Sequence, residues 1–240
     1  LDALVKELSR LEAEWRPQIL VISGDLTWQG KPAGYTELGE WLTKKLFPAT
    51  GLTAAGCVVC PGNHDLDRNA AIALLDWTGD PKKADQVLRP EWLAGGFARP
   101  FEAFVKFAEL FGIPAPRLHD APNYLAGVRE LHGIHFVCAN SAWFCRDDKD
   151  RGELWLGLPQ LQSMLPMDPD DYDKAPITVA VLHHPQEWLA NPEYNAYGDR
   201  PNTYAYLAGR SHAILSGHTH GAIERATRCY DRARLFLGGA

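Results

Sequence analysis

Carboxylate, amide and imidazole side chains collect at four points of the 240-residue chain: Gly24-Asp25, Gly62-Asn63-His64-Asp65, His183-His184-Pro185 and Gly217-His218-Thr219-His220-Gly221. Oxygen and nitrogen donors in this mixture, with no cysteine among them, suit a hard-to-borderline divalent cation such as manganese, iron or zinc, and do not choose among these. Glycine beside the donors permits sharp turns and close approach of the backbone to a ligand. A lone loop histidine is ordinarily structural, but four independent groups of the same kind point to one shared centre.

The elements that must carry these groups follow from periodicity. Leu1, Leu4, Val5, Leu8, Leu11 and Trp15 recur at helical spacing, and Pro17 closes that helix before the apolar strand Ile19-Leu20-Val21-Ile22-Ser23. Tyr35, Leu38, Trp41, Leu42 and Leu46 mark a second helix, and Cys57-Val58-Val59-Cys60 a second strand. Alternation of amphipathic helix with all-apolar strand predicts an α/β fold with a mostly parallel sheet. Residues 66–122 interrupt the rhythm as a helical insertion, expected to pack over one edge of the sheet, with Phe101, Phe104, Val105, Ala108 and Phe111 as its apolar stripe. Segments 124–128 and 134–139 flank His132-Gly133 as an antiparallel pair. A short helix near 158–165, strands at 177–182 and 213–216, and a hairpin of 224–227 with 234–237 complete a single domain. Each donor group follows a strand, so all four fall along the carboxyl edge of the sheet, where open α/β folds bind ligands.

Composition limits what the centre can serve. Hydrophobic side chains at 46% and charged ones at 22% exclude disorder, collagen and coiled coil. The apolar stretches fall short of the roughly 20 residues of a membrane-spanning helix. A net charge of -6 with no long basic run disfavours nonspecific nucleic-acid binding. Five cysteines without framework spacing read as buried thiols. The chain opens on Leu1 with no signal-peptide pattern, so a natural start upstream and a cytoplasmic location are the expectations.

The four blocks, Ile22-Ser23-Gly24-Asp25, Pro61-Gly62-Asn63-His64-Asp65, Leu182-His183-His184-Pro185 and Gly217-His218-Thr219-His220, resemble in order the motifs of the calcineurin-like metallophosphoesterases. The resemblance implies a two-layered β sandwich of mostly parallel strands flanked by helices, a binuclear metal centre and phosphoester hydrolysis. It makes Asp25 the carboxylate bridging two divalent ions, with Asn63, His183 and His218 completing one site and His220 belonging to the other. His64 stands outside the ligand set and acts on the leaving-group oxygen or the phosphoryl charge, with Asp65 orienting it. In the doublet, His183 directly follows the strand and is the expected ligand, but His184 could exchange roles with it. The family's first block, Asp-x-His, is not found: Asp2 is the only acidic residue in reach, and Leu4 stands two after it. The expectation is that this block and its strand lie upstream of Leu1.

With both ions present, a hydroxide bridging them is nucleophilic near neutral pH and attacks phosphorus in line. Selectivity is expected from the insertion at 66–122 and the loop at 186–203. Arg68, Asn140 and His184 are candidate phosphate or substrate contacts, and Trp188, Tyr194 and Tyr197 candidate stacking rings. A small phosphodiester, cyclic nucleotides included, is the leading substrate. The alternatives are a phosphomonoester or a nucleic acid at the same centre, or a non-catalytic phosphoester-sensing module with an incomplete site.

Overall fold

The structure is a computed structural model that describes residues 1–71, 80–89, 98–147, 149–166, 176–196, 198–219, 227–229 and 233–237, the last two stretches as backbone only. Its helices are α1 (Asp2–Ser9), α2 (Pro32–Trp41), α3 (Phe47–Thr50), α4 (Arg68–Ala71), α5 (Pro81–Val87), α6 (Glu102–Phe111), α7 (Leu158–Met164), α8 (Asn191–Tyr194) and α9 (Thr203–Gly209). Its strands are β1 (Leu20–Ile22), β2 (Cys57–Val59), β3 (Arg117–Leu118), β4 (Ala121–Pro122), β5 (Gly127–Leu131), β6 (Ile134–Cys138), β7 (Ile177–Val181), β8 (Ala213–Ser216), β9 (Thr227–Cys229) and β10 (Ala233–Leu237). Among the described residues, no helix is long and apolar enough to cross a membrane.

The strands form two sheets. β1 and β2 pair in parallel, Leu20 opposite Cys57 and Ile22 opposite Val59. The larger sheet runs β4-β3-β5-β6-β7-β8-β10-β9. Its centre, β6 through β8 to β10, is parallel, and antiparallel strands complete both flanks. His132 and Gly133 take left-handed backbone at the β5–β6 turn, as a two-residue hairpin connection requires.

Alternation of side chains across each strand builds a sandwich. Val58 and Cys60 of the small sheet pack against Phe136, Cys138 and Val181 of the large one, with Val21, Val179 and Leu215 at the margins. The alternate residues Cys57, Val59, Val137, Ala139, Ala180, Leu182 and Ile214 face the larger core shared with the helices. Four of the five cysteines, Cys57, Cys60, Cys138 and Cys145, are free and buried in these layers, as thiols with apolar character would be.

Four elements differ from their expected form or bounds. α1 is amphipathic but buries no residue, and all of β1 is half-buried where β2 is fully buried. The reason is that β1, among the described residues, pairs with β2 alone. The segment 66–122 is helical in its described part as far as Phe111, where left-handed Gly112 and an Ile113 N–H bond to the Ala108 carbonyl end α6. Beyond it, β3 and β4 join the sheet as short antiparallel strands. α6 is a core element: Phe104 and Ala108 are fully buried, and Phe107 stacks on Tyr35 of α2 with ring centres 5.1 Å apart. The terminal hairpin is β9 with β10; residues 224–226 of the expected first strand lie outside the described residues.

Phe136 stands at the centre of the interface between the sheets. Phe136→Ala is expected to lower stability by about 3–5 kcal/mol, since the rigid layers cannot close on the vacated volume. Urea denaturation followed by circular dichroism would measure it, and a loss below about 1 kcal/mol would contradict this packing.

Candidate metal centre

The loops that leave β1, β2, β7 and β8 at their carboxyl ends are held together by backbone bonds running past the strands. Cys60 N–H donates to the Ile22 carbonyl at 3.1 Å, Leu182 N–H to Leu215 at 3.0 Å, and Gly217 N–H to His183 at 2.9 Å. The ladder thus brings Asp25, Asn63, His183 and His218 to one place. His183 Nε2 lies 2.9 Å from Asn63 Oδ1, 3.1 Å from His218 Nδ1 and 3.2 Å from Asp25 Oδ2, and Asn63 Oδ1 lies 3.1 Å from His218 Nδ1.

The tautomer of His183 follows from its other nitrogen. Nδ1 is 2.8 Å from the Ser23 carbonyl oxygen, which can only accept, so Nδ1 carries a proton and Nε2 is the nitrogen turned into the cluster. Imidazole nitrogens, an amide oxygen and a carboxylate oxygen then meet at one point, a donor set suited to a cation. Ligand atoms about 2.0–2.2 Å from a transition ion and at right angles around it stand about 3 Å from one another, which is the spacing found. The residues present fit a divalent ion.

Close approach of the chains makes this possible. A Cβ on Gly62 would lie 2.4 Å from Asp25 Oδ1, and one on Gly24 would lie 2.5 Å from His183 Nδ1. Gly24 also has φ of +110°, a conformation that side-chain-bearing residues avoid. Asp25 Oδ1 accepts the His64 amide at 2.9 Å. Burial opposes the charge on Asp25, and the His64 amide bonded to its Oδ1 favours it.

His64 and Asp65 take different surroundings. The His64 ring stacks on Trp28, with centres 4.1 Å apart and planes 22° from parallel. Asp65 is fully buried, and its carboxylate accepts the Leu26 amide at 3.0 Å, the Gly62 amide at 2.9 Å and the Tyr35 hydroxyl at 3.0 Å. Those bonds make Asp65 a fastener of the loops bearing Asp25 and Asn63, where the expectation had it orienting His64. Burial pushes Asp65 up to about 6, the Asp25 charge adds to this, and the Gly62 and Leu26 amides oppose it.

The His184 ring stands beside the cluster, its centre 4.6 Å from that of His218, and its nitrogens have other partners. Its Nδ1 is 2.9 Å from Ser141 Oγ, and its Nε2 is 3.8 Å from Cys145 Sγ. One nitrogen from each of His183, His184 and His218 lies within 4.8 Å of the others, yet both nitrogens of His184 are engaged by Ser141 and Cys145. Burial, with the neighbouring His183 and His218 adding, pushes His184 well below the usual imidazole range. Asn140 is fully buried, its Oδ1 accepting the Ala142 amide at 2.7 Å in a local turn. Arg68 opens α4, half-buried, and its charge acts on the Cys145 thiol. Trp188 stands edge-on to His218, with ring centres 4.0 Å apart. Tyr194 is half-buried against the core. His220 and Tyr197 lie outside the described residues.

Residues the motif reading passed over are Ser23, whose contribution is a carbonyl and leaves no side-chain signal, together with Tyr35, Ser141 and Trp28. Trp28 carried one available signal, a large apolar ring in the short stretch between Gly24-Asp25 and Gly30.

The chain matches the family model for calcineurin-like phosphoesterases over residues 1–222. Among solved structures it is similar to the sulfate thiohydrolase SoxB of Thermus thermophilus in complex with glycerol, at 16% identity and a TM-score of 0.32, over 94% of this chain and 46% of that one. It therefore spans a little under half the length of that SoxB chain. No curated protein matches it. With the family model covering residues 1–222, the chain belongs to the calcineurin-like phosphoesterase family.

Proposed function

We propose that the protein hydrolyses small phosphodiesters, cyclic nucleotides included, with divalent cations held at the carboxyl edge of its sheets. The observation that carries this reading is the convergence of Asp25 Oδ2, Asn63 Oδ1, His183 Nε2 and His218 Nδ1, with the His183 proton fixed on the opposite nitrogen by Ser23. These four would hold one ion, of manganese, iron or zinc. Asp25 and His220 would be the chain's donors to a second. When bound, such cations acidify water and neutralise phosphoryl oxygens.

The side chains supply the rest. His64 gives a proton to the departing alcohol oxygen as its bond to phosphorus breaks, and an oxygen from water takes its place on phosphorus. Asp65 acts through the loops, fixing the Leu26 and Gly62 amides so that Asp25 and Asn63 keep their spacing. A diester is favoured over a monoester because an indole ring, Trp188 beside His218, flanks the cluster. An ester with a second organic substituent offers such a ring apolar surface to cover.

His218→Ala is expected to abolish manganese or zinc retention after dialysis, measured by metal analysis, and a variant that keeps full occupancy would count against the ligand set. His64→Ala is expected to keep its metal while turnover falls by about 10²- to 10⁴-fold; an equal loss of metal would move His64 into the ligand set. In the manganese-loaded protein, bis(4-nitrophenyl) phosphate is expected to turn over faster than 4-nitrophenyl phosphate. The reverse order would favour a monoesterase, and hydrolysis of neither with metal bound would favour a phosphoester-sensing module.

A further inference from the structure

Trp28 is 59% exposed, although burying an indole is among the larger hydrophobic gains open to a side chain. Its position is nevertheless tightly specified. The loop carrying it is fastened to the His64 loop by Leu26 N–H on the Asp65 carboxylate at 3.0 Å and by Gly30 N–H on the His64 carbonyl at 2.7 Å. Within the loop, Thr27 Oγ1 donates to the Lys31 carbonyl at 3.0 Å and Lys31 N–H to the Trp28 carbonyl at 3.3 Å. Gln29 and Gly30 both take left-handed backbone, at φ of +57° and +61°. A residue other than glycine in that region is uncommon and persists where its surroundings over-determine it. The loop therefore holds its strained turn next to the ring, and the ring lies flat on His64 with centres 4.1 Å apart.

We propose that Trp28 is a positioning residue for His64, its stacked indole selecting the imidazole orientation from which a proton reaches the leaving group. An imidazole on a fixed backbone still has two side-chain torsions, and losing that freedom costs entropy unless a neighbour has already restricted it. The His64 amide is pinned to Asp25 at 2.9 Å, which fixes the main chain and leaves the ring to be oriented. Trp28 supplies that restriction by face-to-face contact, without itself touching the phosphoryl group. This rests on the reading of His64 as the proton donor.

The consequence is selective. A misdirected imidazole hurts departure of a poor leaving group, which needs the proton, more than departure of a good one. In the metal-loaded enzyme, Trp28→Ala is expected to lower kcat for diphenyl phosphate by about 10- to 100-fold with KM little changed. The loss for bis(4-nitrophenyl) phosphate, similar in shape but with a better leaving group, should be much smaller. Trp28→Phe should restore most of the rate, and Trp28→Ala added to His64→Ala should have no further effect. Loss of rate in the His64→Ala background, or a rise in KM with kcat intact, would overturn the proposal and make Trp28 a substrate contact. A readout independent of turnover is the proton spectrum of the imidazole rings. The His64 signal, assigned by its absence in His64→Ala, should be shielded by the indole and move downfield in Trp28→Ala; an unmoved signal would also overturn the proposal. If that signal moves but neither phosphodiester is hydrolysed by the metal-loaded wild-type protein, the fault lies with the hydrolytic reading: the stack exists, and its assignment to catalysis falls with it.

Discussion

The carboxylate of Asp65 is the internal constraint on which the site's geometry depends. Buried ionisable groups are costly unless hydrogen-bonded, and this one accepts from the Leu26 amide, the Gly62 amide and the Tyr35 hydroxyl. The first amide belongs to the loop after β1, the second to the loop after β2, and the hydroxyl to α2. One side chain thus gathers three elements, and the two loops it joins carry Asp25 and Asn63. Tyr35 extends the arrangement, since its ring stacks on Phe107 of α6. Burial and the nearby Asp65 push the Tyr35 hydroxyl above its ordinary range, which keeps it a donor. Part of the segment read from sequence as an insertion is in this way coupled to the spacing of the candidate ligands.

Much of the site was legible because the chemistry sits at strand ends, where sequence periodicity breaks. The apolar runs at Leu20–Ile22, Cys57–Val59 and Ile177–Val181 locate strands by composition alone, and the polar residues that follow each run must then share an edge. Asp25, Asn63, His183 and His218 meet for that reason. What could not be read was contact across the chain. No pattern tells that the Ser23 carbonyl sets the tautomer of a residue 160 positions away. Nor does spacing alone reveal that Phe104 and Ala108 are fully buried in the main core, where an outlying cap would leave its stripe on a separate surface. The half-buried state of β1 was equally invisible, because an all-apolar strand reads the same whether or not both edges are paired.

The glycines show why local and long-range demands coincide. Gly24 must be glycine for its backbone angle and again for its distance from His183. Gly62 needs no unusual angle, and its constraint is steric alone, set by Asp25 across the gap. A motif that pairs glycine with a donor at two strand ends is therefore a statement about loops passing within van der Waals contact, each glycine leaving room for a side chain from another loop.

The paired histidines resolve by the same kind of reasoning. His184 Nδ1 lies 2.9 Å from Ser141 Oγ and its Nε2 3.8 Å from Cys145 Sγ, so both nitrogens are occupied. His183 instead gives its Nδ1 proton to the Ser23 carbonyl and turns Nε2 toward Asn63, His218 and Asp25. Two adjacent imidazoles of the same intrinsic chemistry are thus set to different tasks by a backbone oxygen on one side and a serine on the other. The partners of the ring nitrogens, rather than the residue type, decide which of them can serve a cation.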